Sequence, residues 1–307
     1  MNCFMFPGQP LAQDATLPGD ADFIEIAALT YTHTGLDLSA FTWGGEAHSE
    51  QVGLQVCGVA VSLYRHRCLR AEGMKPAVAA EHSMGVYAAL AACGSIGESE
   101  ALEIAFRVGA CMERRFRGRD YALGCVVGLT AEKLVVLAAE GAVFLANHNT
   151  SHHYLLAGGR QEMEATLGEA LASGAFSANI FPCDAPLHTP LLAEAEGELK
   201  AIFQDYRYRE PACPLMNHID QEFLTAAGIP SFLMRELTET VRWEATYRAL
   251  KRFGATRFVE VGAGDSLKKY NRWIESRPMA SSDLRCLRTL VSCSPRYCPR
   301  RTWPGKQ

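Results

Sequence analysis

The sequence predicts an α/β protein: a large domain with a parallel sheet that carries an inserted βαββαβ, ferredoxin-like subdomain. Three observations predict it. A small-residue strand, Val78-Ala-Ala-Glu81, runs through a sharp turn at 81–85 straight into an Ala-rich helix. Between 123 and 183 the hydrophobic period alternates as strand, helix, strand, strand, helix, strand. Beyond 185 long helical patterns return and close on an apolar strand at 257–262.

In chain order, Asn2 to Phe6 reads as a short apolar strand that breaks at Pro7-Gly8-Gln9-Pro10. Residues 11–75 are mostly helical by period, most clearly at 21–29 and 51–70. Pro76 introduces the central strand, Cys93 to Gly97 ends the helix after it, and 98–117 forms another. The inserted unit reads as strand 124–129, helix 131–140, strands 142–147 and 154–157, helix 161–172 and strand 176–183. Pro186-Leu-His-Thr-Pro190 leads into a helix at 191–203. A short apolar segment follows at 214–217, then an amphipathic helical region at 229–253, the strand 257–262 and a last helix at 266–275. The expected domains are therefore 1–122 with 185–276 as a discontinuous core, 123–184 as the subdomain, and 277–307 as a poorly ordered tail.

Composition narrows the function classes. At 307 residues, 48% hydrophobic and 21% charged, the chain has ample material for a core, and the balance is that of a soluble protein. No apolar run reaches bilayer length and the first residues lack signal-peptide features, so a cytoplasmic protein without membrane partners is expected. Residues 277–307 carry seven Lys/Arg against one Asp, which leaves residues 1–276 about ten charges on the acidic side. A nucleic-acid-binding body is therefore not expected. Of the 11 cysteines, those before 277 are scattered singly and read as buried thiols; no pair or His/Cys set has metal-ligand spacing, so no metal is expected.

The turn at 81–85 is where chemistry concentrates. Glu81-His-Ser-Met-Gly85 is close to the G-x-S-x-G elbow, with Glu81 in place of the first glycine. A Ser at such a corner presents its hydroxyl at the positive end of a helix, where turn and helix N–H groups hold an oxyanion. The plain alternative is a Ser that caps the helix.

Several separated stretches then agree with one family. Phe6-Pro-Gly-Gln9, Glu81-His-Ser-Met-Gly85, Asn147-His-Asn149 with Leu156-Ala-Gly158, Ala185-Pro-Leu-His188, Val241-Arg-Trp243 and Phe258-Val-Glu-Val-Gly-Ala-Gly264 resemble, in order, the motifs of malonyl-CoA:acyl carrier protein transacylases and polyketide synthase acyltransferase domains. The resemblance spans roughly 3–275. It implies an α/β-hydrolase-like core with a ferredoxin-like insert, no permanently bound cofactor, acyl-CoA as substrate and an acyl carrier protein as partner, in fatty acid or polyketide biosynthesis.

By that resemblance Ser83 is the nucleophile that holds the acyl group between two thiols, and His188 is its base. The backbone N–H groups of Met84 and Gln9 would form the oxyanion hole, and the carbonyl of Glu236 would orient His188. His82 is expected to pack on the far side of the turn. Val108, Arg107, Glu81, Asn149 and Leu187 are the candidates for the substrate pocket. Malonyl-specific members carry an Arg in a pattern like R-G-x-x-M; aligning Gly109-Ala-Cys-Met112 puts Val108 there. Arg107, one residue earlier, faces about 100° away on a helix. An uncharged acyl group is therefore the expectation, with malonyl as its competitor. The Arg114 to Arg119 stretch is a candidate for CoA phosphates or an acidic carrier surface, or a solvated helix end. Two other readings stay open: a hydrolase releasing acyl groups from carrier proteins, and a non-catalytic module.

Overall fold

The computed structural model describes residues 1–8, 17–40, 50–183 and 185–276. The expectations for Gln9 and for the basic tail at 277–307 lie outside the described residues. In chain order the elements are β1 (Asn2–Phe6), α1 (Ala21–Thr34), α2 (Glu50–Ala71), β2 (Val78–Glu81), α3 (Gly85–Ala92), α4 (Glu98–Phe116), β3 (Tyr121–Val127), α5 (Ala131–Glu140), β4 (Phe144–Thr150), β5 (His153–Gly159), α6 (Arg160–Ala172), β6 (Ser177–Pro182), α7 (Glu196–Gln204), β7 (Leu215–Met216), α8 (Ile229–Thr238), α9 (Trp243–Phe253), β8 (Arg257–Glu260) and α10 (Ser266–Glu275).

Two sheets divide the chain. The first is parallel throughout, in the order β7-β2-β1-β8. Its central strand β1 is apolar on both faces, as a sheet covered on both sides requires. Phe4 and Phe6 face the larger core, built with α1 to α4, α7 and α8, while Cys3 and Met5 face α9 and α10 through Trp243, Tyr247, Leu250, Leu267 and Tyr270. The second sheet is antiparallel in the order β4-β5-β3-β6, the ferredoxin-like arrangement, with α5 and α6 packed on it. The fold is thus the α/β-hydrolase-like core with a ferredoxin-like insert. Cys125 and Val127 of β3 reach the α9–α10 core, so the two sheets share one apolar contact zone.

Several boundaries differ from the periodicity, and three of them have a visible cause. The stretch expected as one helix at 191–203 opens as a 3-10 turn, Pro190–Ala195, because Thr189 caps the Leu191 N–H at 3.3 Å and Pro190 starts the turn. The amphipathic region 229–253 is two helices. Its break at 239–242 follows from strand-like pairing with β4: His148 N donates to Val241 O at 2.8 Å and Val241 N to Ala146 O at 2.9 Å. β3 ends at Val127, short of the expected 129, because Gly128 takes a φ of 104°.

The arginine stretch after α4 is tied to acids of its own chain. Arg114 and Arg115 bind Glu198, Arg117 binds Glu113 at 2.7 Å and Arg119 binds Glu194. These exposed pairs add little stability.

Candidate active site

The end of β2 and the loop after β1 build the elbow together. Glu81 pairs with Phe6 in the parallel register, and the His82 N–H donates to Phe6 O at 3.0 Å. Ser83 then takes φ 56°, a left-handed conformation that costs a non-glycine residue roughly 1–2 kcal/mol. Gly85 closes the turn, its N–H on His82 O at 3.1 Å. A Cβ at Gly85 would lie 2.2 Å from Phe6 O and 2.6 Å from Pro7 O, so only glycine fits where the two chain segments cross. Gly8 is packed less tightly, its Cβ direction 3.0 Å from His82 O. Met84 follows Ser83 at the start of α3, where helix N–H groups lack intrahelical partners.

His188 reaches Ser83 from 105 residues away. It also has a left-handed backbone, φ 61°, fixed by its N–H on Leu237 O at 2.7 Å. Its Nδ1 donates to Glu236 O at 2.7 Å, which leaves the Nε2 lone pair 2.8 Å from Ser83 Oγ. The hydroxyl therefore donates to the imidazole, the geometry of an activated nucleophile. His188 is 6% exposed; burial, with His218 and His82 nearby, pushes its pKa down to about 3 against the pull of the Glu236 carbonyl. Leu187, which precedes it, is half-buried against the large core.

Behind the elbow, His82 Nε2 lies 2.9 Å from Asn149 Oδ1, and Asn149 Nδ2 donates to His153 Nδ1 at 3.2 Å. His82 also meets the Trp243 ring edge-on at 5.9 Å. This chain fastens the elbow to β4 and β5 of the subdomain. Asn149, a candidate for the pocket, is 1% exposed with both ends of its amide engaged there, so it acts on the turn through His82.

Glu81 requires a correction as well. Expected beside the acyl group, it is fully buried and faces the other way, because β7 pairs with β2 (Ala80↔Met216) and brings His218 alongside. The Glu81 carboxylate accepts the His218 backbone N–H at 3.0 Å, and His218 Nδ1 stands 2.7 Å away. Burial raises the Glu81 carboxyl well above its ordinary range, and the His218 N–H works against that. His218 was not anticipated, although an acid forced into a crowded turn demands a buried donor, and His218 directly follows the short apolar segment at 214–217. Glu81→Ala strands both His218 donors, at roughly 1–3 kcal/mol for each buried donor left unpaired, and urea unfolding is expected to show a loss of about 2–5 kcal/mol.

Val108 is 2% exposed within the large core, on the same helix turn that packs Gly109 against Val52. Arg107 points elsewhere: its guanidinium binds Asp205 at 2.5 Å and Tyr206 Oη at 3.1 Å, and no contact among the described residues ties it to Ser83 or His188. It does not serve as a pocket cation in this conformation because α4 is unbroken and turns it to that side. Among the described residues no group of three or more His, Cys, Asp or Glu is placed to hold a metal ion, and no helix is long and apolar enough to cross a membrane.

Comparison with known proteins finds relatives among the acyl transferases. The profile of the acyl transferase domain family matches residues 44–267. The malonyl CoA-acyl carrier protein transacylase of Escherichia coli K12 is 27% identical over 291 residues, covering 91% of this chain and 94% of that protein. A malonyl-transacylase solved in complex with a holo type II polyketide acyl-carrier protein superposes with TM-score 0.82 at 25% identity, covering 95% and 99% of the two chains. The malonyl CoA-acyl carrier protein transacylase of Coxiella burnetii shares the fold, with TM-score 0.82 at 23% identity over 95% and 98%.

Proposed function

The chain belongs to the acyl transferase domain family, and from that premise we propose that it moves an acyl group from acyl-CoA to the phosphopantetheine thiol of an acyl carrier protein through a Ser83 acyl-enzyme. The observation that carries the reading is the 2.8 Å contact between Ser83 Oγ and His188 Nε2, with Nδ1 held on the Glu236 carbonyl. Ser83 Oγ attacks the thioester carbonyl as its proton passes to His188 Nε2. The C–S bond breaks and the departing thiol takes that proton. The carrier thiol then attacks the ester, gives its proton to Nε2, and Ser83 recovers it as the product leaves. The Met84 N–H and, by family resemblance, the Gln9 N–H stabilise the oxyanion.

The division into 1–122 with 185–276 and an insert at 123–184 belongs to the same proposal: the core supplies Ser83 and His188, and the insert braces the elbow through Asn149. The relatives' names point to malonyl. The site's own chemistry points to an uncharged acyl group: Val108 stands where malonyl-specific members carry Arg, Arg107 is bound to Asp205, and the Glu236 carboxyl is buried near His188. A buried malonyl carboxylate without a cation is costly. Loading rates for acetyl-, longer acyl- and malonyl-CoA, read by intact mass, are expected to favour the uncharged groups. A strong preference for malonyl would overturn that specificity, and free acid in place of acyl-carrier product would identify a hydrolase.

A further inference from the structure

Glu236 places two oxygens at His188, and only one belongs to the backbone. Its carbonyl accepts from Nδ1 at 2.7 Å. Its side chain folds back to the same nitrogen, with Oε1 at 4.0 Å, and Glu236 is 1% exposed. Oε2 has no hydrogen-bond partner among the described residues. A carbonyl needs no particular side chain to do its work, so a fully buried carboxyl here is a separate feature with a separate desolvation cost. What offsets a buried carboxylate is a nearby positive charge. One arises beside it in the reaction, when His188 accepts the Ser83 proton.

Resting on the Ser83–His188 reading above, we propose that the Glu236 carboxylate is a positioning residue for His188 that stabilises its imidazolium during acyl transfer. The backbone carbonyl fixes the tautomer and the side chain supplies the charge, so a single residue provides both functions. Glu236 neither gains nor loses a bond: the proton travels from Ser83 Oγ to His188 Nε2 and on to the departing sulfur, as the Oγ–C bond forms and the C–S bond breaks.

The titratable groups that face Glu236 come from three directions. Burial first, and then Glu81 at the end of β2, push its carboxyl well above the ordinary carboxylate range, and the Ser83 hydroxyl works against them; the positive charge that forms on His188 is what favours the anion. Tyr87 of α3 lies close enough that an anion at Glu236 raises its phenol, and His218, with its ring 6.3 Å from that of His188, and His82 both disfavour a charged His188. A buried imidazole is easily held neutral and is then a weak base; an adjacent anion restores its affinity for a proton.

Glu236→Gln tests this, because it keeps the carbonyl and nearly the same volume while removing the charge. Single-turnover acylation of Ser83 is followed against pH, with melting temperature as a control. The expected result is acylation slowed by ~10- to 100-fold with KM little changed. The acid limb moves to lower pH, since losing the anion lowers the imidazole's pKa and keeps it neutral further into acid. Glu236→Asp, which withdraws the charge by one methylene, moves the limb the same way by less and reads the effect should the Gln variant not fold. Wild-type rate with an unmoved limb overturns the proposal, as does a loss of rate equal in both variants with no displaced limb, which marks a structural role. Acyl loading of Ser83→Ala would instead sink the nucleophile assignment beneath it.

Discussion

Ser83→Ala is expected to leave no covalent acyl adduct after incubation with acyl-CoA, measured by intact mass, and to lower carrier acylation by at least ~10⁴-fold. The side chain removed is the group that would form the ester, and no other hydroxyl stands against His188 Nε2 among the contacts of the described residues. Alanine bears the same left-handed strain at φ 56° as serine, so the fold should be kept and the melting temperature should move little. His188→Ala tests the other half of the pair. Without the imidazole, Oγ keeps its proton in a buried setting, and acylation should fall by ~10³- to 10⁴-fold while slow adduct formation persists. Adduct on Ser83→Ala, or a His188→Ala enzyme at wild-type rate, would refute the assignment.

Gly85→Ala should be nearly as damaging by a different route. The added Cβ meets the backbone oxygens of Phe6 and Pro7 at 2.2 and 2.6 Å, and these belong to the central strand and its exit, which cannot shift without opening the sheet. The expected cost is ~3 kcal/mol or more in denaturant unfolding, with acyl loading lost even at temperatures where the variant is folded. Because Gly85 is two residues from Ser83, any relief moves the hydroxyl off the Nε2 axis, and a displacement of about 1 Å is worth orders of magnitude in rate. A variant of normal stability and full activity would show that the close crossing at β1 and β2 is not required.

These two results rest on features of different legibility. The sequence by itself determined the elements and their order: the elbow strand and helix, the βαββαβ insert and the helix at 266–275 all follow from local period, because burial on one face imposes a repeat that the residues must display. It also singled out Ser83, His188 and Glu236 through separated motifs that resemble one family. It failed where a backbone turned aside to pair with something remote, as at 239–242, whose hydrogen-bond partner is on β4.

Tertiary structure alone decided where the side chains went. Glu81, expected at the acyl group, is instead buried as the partner of His218, and Asn149, expected to orient the acyl group or the site loops, is buried between His82 of the elbow and His153. Arg107 is drawn to Asp205, and the Glu236 side chain, which a carbonyl role makes irrelevant, folds back against His188. Local sequence encodes which residues share a face, since the helical and strand repeats fix that within a few positions. Whether a polar group on that face meets substrate or a buried partner depends on which strand of the sheet lies next to it, a contact made across more than 100 residues of chain and set only when the sheet assembles.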